Sequence, residues 1–343
     1  MVNSDMKKLS VISLIVSLLF VFSCEDKVEK DTTPPEVTIT SPSNGSTVSI
    51  IVSITCMSSD DKGVERVDLW VNGQPIGVSD TTEPYSMEWN TITYDDGSYG
   101  VTVRSYDTSG NTTDSDPITL TVYKTVSFGG QDYSVDNSPT TLSCRDCGHI
   151  GEIPPEIGYL TNLTELRITN NNQITGEIPP EIGNLTKLTH LELFNNQITG
   201  EIPVEIGNLT NLDQLILFGN QLTGGILIEI MNLTKLNYLT LGSNQLTGGI
   251  PVEIGNLTNL KLLELHGNQL TGEIPVEIKN LTNLEYLRLN TNQLTGKIPE
   301  SICDLNIDWS NNSKFNISNN QLCPSYPSCI QNYVGTQDTT NCG

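Results

Sequence analysis

Three textures of hydrophobic and polar residues follow one another along the chain. Residues 9–22 form an uncharged, mostly apolar run behind Lys7 and Lys8. Between 36 and 124, apolar and polar residues alternate in short segments at 37–40, 49–56, 64–71, 99–106 and 118–122. Turn signals separate them, among them Asn44-Gly45, Asn72-Gly73 and Asp96-Gly97. A period of two marks strands that bury one face, and strands at this spacing predict an antiparallel β-sandwich over 36–124. Residues 125–141 form a junction. Beyond it the pattern repeats itself.

Gly176, Gly200, Gly224, Gly248, Gly272 and Gly296 fall 24 residues apart, and Gly151 precedes Gly176 by 25. Within the unit that starts at Gly248, Leu263 and Leu265 alternate with polar neighbours and point inward from a short strand. Ile250, Ile254, Leu257, Leu260 and Leu270 fill the interior on the return path. One unit cannot bury this surface alone, so the units must stack, strand upon strand, into a parallel sheet of seven strands. Asn172, Asn196, Asn220, Asn244, Asn268, Asn292 and Asn320 recur at the turn after each strand, where a buried amide satisfies backbone groups left unpaired. The unit Gly248-Gly249-Ile250-Pro251-x-x-Ile254-Gly255-Asn256-Leu257-x-x-Leu260-x-x-Leu263-x-Leu265-x-x-Asn268-x-Leu270-Thr271 resembles the plant-type leucine-rich repeat. The resemblance covers 142–322 and implies a solenoid with an asparagine ladder. At its start, Leu142-x-Cys144-x-x-Cys147 aligns with strand and ladder positions. Residues 302–322 form a degenerate last unit, and 323–343 a cysteine-containing cap. The Asn-Leu-Thr triplets, such as Asn208 to Thr210, belong to the repeat scaffold rather than to glycosylation.

In the alternating segment, Asp60-Asp61-x-Gly63-Val64, Val71-Asn72-Gly73, Pro84-Tyr85, Trp89, Asp107 and Gly110-Asn111 resemble bacterial immunoglobulin-like modules of surface proteins and glycosidases. Trp89 and Tyr106 are assigned to the core. Asp60, Asp61 and Asp107 are taken as loop caps, with calcium as the alternative, and no metal site is assigned. At the N-terminus, the run 9–22 is shorter than the roughly 20 residues that span a bilayer, and it closes a signal peptide over 1–23. Val21-Phe22-Ser23-Cys24 resembles a bacterial lipobox, which implies a lipid on Cys24; plain cleavage and secretion is the alternative. Residues 24–35 then form a tether. Glu25 and Asp26 resemble the surface-export signal of Bacteroidetes-type lipoproteins, which implies the outer membrane or cell surface.

Charge narrows the function. Acidic residues outnumber basic ones 40 to 17, for a net charge of −23 over 343 residues. Nucleic acid is excluded as a partner, because phosphate binding needs a basic surface. With three histidines and none of the Gly-x-Ser-x-Gly, His-Glu-x-x-His or phosphate-loop motifs, the chain carries no catalytic equipment and calls for no cofactor. Of its 8 cysteines, Cys303, Cys323, Cys329 and Cys342 gather at the C-terminal cap. In an exported protein these four form two disulfides, in any of three pairings. Cys144 and Cys147 form either a local disulfide or two reduced thiols, and Cys56 a buried free thiol.

The binding surface follows from the repeat. Strand residues between the inward leucines face outward on the concave side, and they vary while the scaffold does not. The first row is His190, Gln214, Tyr238, Leu262 and Tyr286, beginning at Glu165. The second is Glu192, Ile216, Thr240, Glu264 and Arg288, and the third includes Phe194, Phe218 and His266. Phe194, Ile216, Phe218, Tyr238 and Leu262 make an apolar patch rimmed by charge, a layout that suits recognition of a protein partner. A glycan is the alternative ligand. Ice is a remote one, prompted by the threonine columns at 175–295 and 186–282.

Overall fold

The computed structural model describes residues 30–145, 151–170 and 174–342. The signal segment, Cys24, Cys147 and Asn172 lie outside them. The chain divides into two compact units, 1–122 and 123–343. No helix among the described residues is long and apolar enough to cross a membrane.

The first unit is a sandwich, antiparallel except for one short parallel edge pair. One sheet pairs β1 (Glu36–Ser41), β3 (Ile51–Ser59) and β6 (Tyr85–Asn90). The other runs β2 (Thr47–Val48), β9 (Ile118–Val122), β7 (Gly97–Asp107), β4 (Val64–Val71) and β5 (Gln74–Asp80), with β8 (Thr112–Asp114) on β7. The alternation drives this arrangement. Val52, Ile54 and Cys56 of β3 face Val67, Leu69 and Val71 of β4 and Val101 and Val103 of β7 across one core. Trp89 is wholly buried, and the edges of Tyr94 and Tyr99 meet it at 5.2 and 5.8 Å. Tyr106 corrects the sequence expectation. On β7 the inward positions are 101, 103, 105 and 107, so Tyr106 points outward, where the Arg66 guanidinium stacks 3.7 Å from its ring centre. Cys56 is a buried free thiol, and burial pushes its pKa up to about 11, helped by the charge of Asp80.

The second unit is a solenoid. Its parallel sheet has eight strands: β12 (Thr141–Arg145), β14 (Glu165–Thr169), β16 (His190–Glu192), β17 (Gln214–Ile216), β18 (Tyr238–Thr240), β19 (Leu262–Glu264), β20 (Tyr286–Arg288) and β21 (Phe315–Asn316). Eight strands rather than seven pair because both end units contribute one. On the other side of each coil, β13 (Gly151–Glu152) pairs with β15 (Ile174–Thr175), and later coils keep this ladder through bonds such as the Thr223 amide to the Gly200 carbonyl at 2.8 Å. Gly200 has φ +74°, and its repeat counterparts from Gly176 to Gly296 share this left-handed backbone, which explains the recurring glycine; at Gly200 a Cβ would also meet the Glu177 side chain at 2.7 Å. Residues 125–141 carry a hairpin of β10 (Thr125–Phe128) and β11 (Gln131–Ser134), whose Val126 and Phe128 are buried.

Between strands the chain returns through short 3₁₀ turns such as Val252–Asn256, which begin after an extended proline except at Ile228–Asn232, where Leu227 takes its place. The spacing of the buried residues dictates this choice. Ile254, Leu257 and Leu260 lie three apart, and successive three-residue turns, with the Leu257 amide on the Ile254 carbonyl and the Leu260 amide on the Leu257 carbonyl, bring all three to the core. The ladder residues Asn196, Asn220, Asn244, Asn268, Asn292 and Asn320 are all buried. At the far end, disulfides Cys303–Cys329 and Cys323–Cys342 close the cap over Phe315, Ile317 and Ile330. Cys144 is disulfide-bonded as well.

Candidate functional site: the concave sheet

Strand register sets the three rows side by side. His190 pairs with Gln214, Gln214 with Tyr238, Tyr238 with Leu262 and Leu262 with Tyr286. Glu192 leads a second row through Ile216, Thr240 and Glu264 to Arg288. In the third row, backbone bonds to the carbonyls of Phe194, Phe218, Gly242, His266 and Asn290 keep the same register. Eight strands spaced by about 4.8 Å give a face roughly 34 Å long.

The apolar patch is half-buried rather than fully open, because side chains this close along a sheet cover one another. Phe194, Ile216, Phe218, Tyr238 and Leu262 all keep part of their surface accessible, while Thr240 is buried. Charges in the second row are paired across neighbouring strands. Arg167 Nε lies 3.3 Å from Glu192 Oε1, and Arg288 Nη1 lies 3.3 Å from Glu264 Oε1. The two pairs bracket Ile216 and Thr240, leaving an uncharged middle.

Gly242 shapes the third row. Without a side chain there, the His266 ring leans across the vacant position: a Cβ on Gly242 would stand 2.9 Å from it. His266 thereby reaches Phe218 two strands away, ring centres 5.6 Å apart. Burial holds the imidazole pKa below its ordinary value, the Arg288 charge adds to this, and Glu264 opposes it. Around this pair lie buried polar atoms with no hydrogen-bond partner: Thr240 Oγ1, His266 Nδ1, Arg288 Nε and Asn290 Oδ1. At the edge, Lys314 Nζ lies 5.4 Å from the centre of the Tyr286 ring.

The most exposed aliphatic residues of the solenoid stand elsewhere. Val204, Ile228, Val252 and Val276 open successive 3₁₀ turns and are each about half exposed, the highest being 55%. Their 24-residue spacing was the signal that would have found them. The threonines at 199, 223, 247 and 271 are exposed too, and two of their hydroxyls are spent on the scaffold: Thr199 Oγ1 donates to the Gly176 carbonyl and Thr247 Oγ1 to that of Gly224.

Residues 35–103 match the model of a bacterial Ig domain. Residues 141–247 match that of a leucine-rich repeat region, and 259–281 and 283–305 that of the leucine-rich repeat. No curated protein matches. Among solved structures, the chain is similar to PEPR1–AtPEP1, with 37% identity over 51% of this chain and 24% of that one, at a TM-score of 0.48. It is similar to the Arabidopsis receptor kinase HAESA in complex with the peptide hormone IDA and the co-receptor SERK1, with 30% identity over 54% and 35% of the two chains and a TM-score of 0.48. A plant ice-binding protein shares 29% identity over 57% of this chain and 69% of that one, at a TM-score of 0.45. The chain thus spans 24% and 35% of the length of the first two of these chains.

Proposed function

We propose that this is a non-catalytic, lipid-anchored cell-surface protein that captures a protein partner on the concave face of its repeats. One observation carries the reading: half-buried Phe218, Tyr238 and Leu262 lie beside the unpartnered polar atoms of Thr240, His266, Arg288 and Asn290. Apolar anchors supply area, and the partly exposed polar side chains of His266, Arg288 and Asn290 beside them supply direction. The flanking ion pairs act as a rim. Disulfides at the C-terminal cap fit an exported chain.

The test is capture on intact cells with the 123–343 fragment, the whole second unit, against its Phe218→Ala/Tyr238→Ala variant. Partner capture is expected to fall by at least about tenfold, since each anchor of this kind is worth more than about 1 kcal/mol. The denaturation midpoint is expected to hold within about 1 M urea of wild type, because neither side chain is fully buried. Retained protein capture overturns the assignment to the concave face, and binding on a glycan array that the double variant abolishes overturns the protein-partner reading.

A further inference from the structure

We propose that Asp31, Asp60 and Asp107 bind one calcium ion at the end of the sandwich where the chain enters it. Asp31 precedes β1, Asp60 lies on the turn between β3 and β4, and Asp107 ends β7. The sequence offers calcium only as the alternative for Asp60, Asp61 and Asp107, and does not include Asp31. The fold brings one carboxylate oxygen from each of Asp31, Asp60 and Asp107 to within 4.8 Å of the others.

The hydrogen bonds divide the oxygens into two sets. Asp31 Oδ1 accepts the Thr33 amide at 3.0 Å. Asp60 Oδ1 accepts the amides of Lys62 and Gly63, at 2.8 and 3.1 Å. Asp107 Oδ1 accepts those of Ser109 and Asn111, both at 2.8 Å, and its Oδ2 accepts the Asn111 side-chain amide at 2.7 Å. What remains is Oδ2 of Asp31 and Oδ2 of Asp60. Both atoms are buried, and neither accepts a hydrogen bond. Asp107 between them is wholly buried.

Two buried, unpartnered carboxylate oxygens beside a third carboxylate are costly unless a cation joins them. Each has lost its water, and the like charges repel at short range. The donors are all oxygen, which selects a hard cation over zinc. They come from three segments far apart in sequence, two of them irregular and the third the end of a strand, and calcium tolerates such a set, whereas magnesium requires a near-ideal octahedron. Asn111 prepares the site. Its Nδ2 also faces the carbonyls of Asp31 and Thr33, at 3.2 and 3.4 Å, and so holds the entering segment against the Asp107 turn.

The consequence is mechanical. Asp31 belongs to the segment that leads into the sandwich, and a bound ion fastens that segment to two loops of the body. Calcium thereby stiffens the base on which the sandwich stands, and its removal frees that base.

Asp60→Asn isolates the claim, because it keeps Oδ1 for the Lys62 and Gly63 amides and replaces only the unpartnered oxygen. The mature full-length chain, stripped with EDTA and desalted, is titrated calorimetrically with CaCl2 and melted with and without it. Wild type is expected to bind one calcium per chain with a Kd of about 0.1–1 mM, as extracellular modules do, and to melt several degrees higher with it. D60N is expected to lose at least tenfold in affinity and to melt in EDTA no lower than wild type, since it has shed a buried charge. Should D60N not fold, Asp31→Asn replaces it, because that residue lies outside the strands. No calcium-dependent heat or melting shift in wild type up to 5 mM, about fivefold above the weakest such sites, overturns the proposal. So does an equal response from the variant, or an equal response of wild type to MgCl2.

Discussion

Asn244 shows what a single amide does in this fold. Its Nδ2 donates to the carbonyls of Leu217 in the preceding coil and of Leu241 and Gly242 in its own, all at 3.1–3.2 Å. Its Oδ1 accepts the Leu222 amide at 3.1 Å. Asn220 and Asn268 repeat the arrangement one coil to either side. Asn244→Ala leaves buried backbone groups unpaired and is expected to cost about 1–3 kcal/mol, seen as a lower urea midpoint. His266 gives a second expectation. Its pKa is lower folded than unfolded, because burial and Arg288 disfavour the imidazolium. The unfolded chain therefore binds more protons in that window, and stability falls as pH drops through the ordinary histidine value of about 6.5 toward the folded one. Urea midpoints at pH 7.5 and 5 are expected to drop further apart in wild type than in His266→Gln; parallel curves would show that the imidazole makes no such contribution.

Each strand of the solenoid is only two to five residues long and holds its place because the same element lies above and below it. A coil's neighbours supply both its ladder partners and the cover for its leucines. The ends lack one neighbour. At the C-terminus β21 is short, and the two disulfides bind the last coil to the tail that covers it. Opening Cys303–Cys329 as the double serine variant releases a loop with a sequence separation of 26 and is expected to cost about 2–4 kcal/mol. Hydrogen exchange is the measurement that locates the effect: protection should fall in β20 and β21 and persist in β17. Uniform loss across the sheet would mean that the cap serves the whole array rather than its end.

At the scale of the molecule, a small sandwich and a longer solenoid divide the chain, and their surfaces carry a net charge of −23. Such a charge favours solubility and repels anionic surfaces, so attachment to a membrane calls for a covalent lipid rather than adsorption. If Cys24 carries that lipid, Cys24→Ser releases the protein from the membrane fraction into the medium, and incorporation of labelled palmitate stops. An unlabelled wild-type chain would instead point to plain secretion. The role proposed for the three aspartates belongs to this scale as well, because it concerns how the sandwich is held at its base.

The solenoid was legible in the sequence because its information is periodic. Leu263 and Leu265 have one meaning when repeated six times, and the stacking that buries them follows from the repeat alone. The sandwich was partly legible: β4 and β9 coincide with the alternating segments, while β5 and β6, interrupted by Pro75 and by the turn before Tyr85, did not stand out. Tertiary structure decided what depends on distance between remote residues. It chose one cysteine pairing among three, turned Tyr106 outward under Arg66, and laid His266 across Gly242 onto Phe218. It also brought Asp31 to Asp60 and Asp107. A sequence fixes which face of a strand is apolar through local periodicity; which loops meet at the end of a sandwich is set by the closure of the whole core, to which no single segment holds the key.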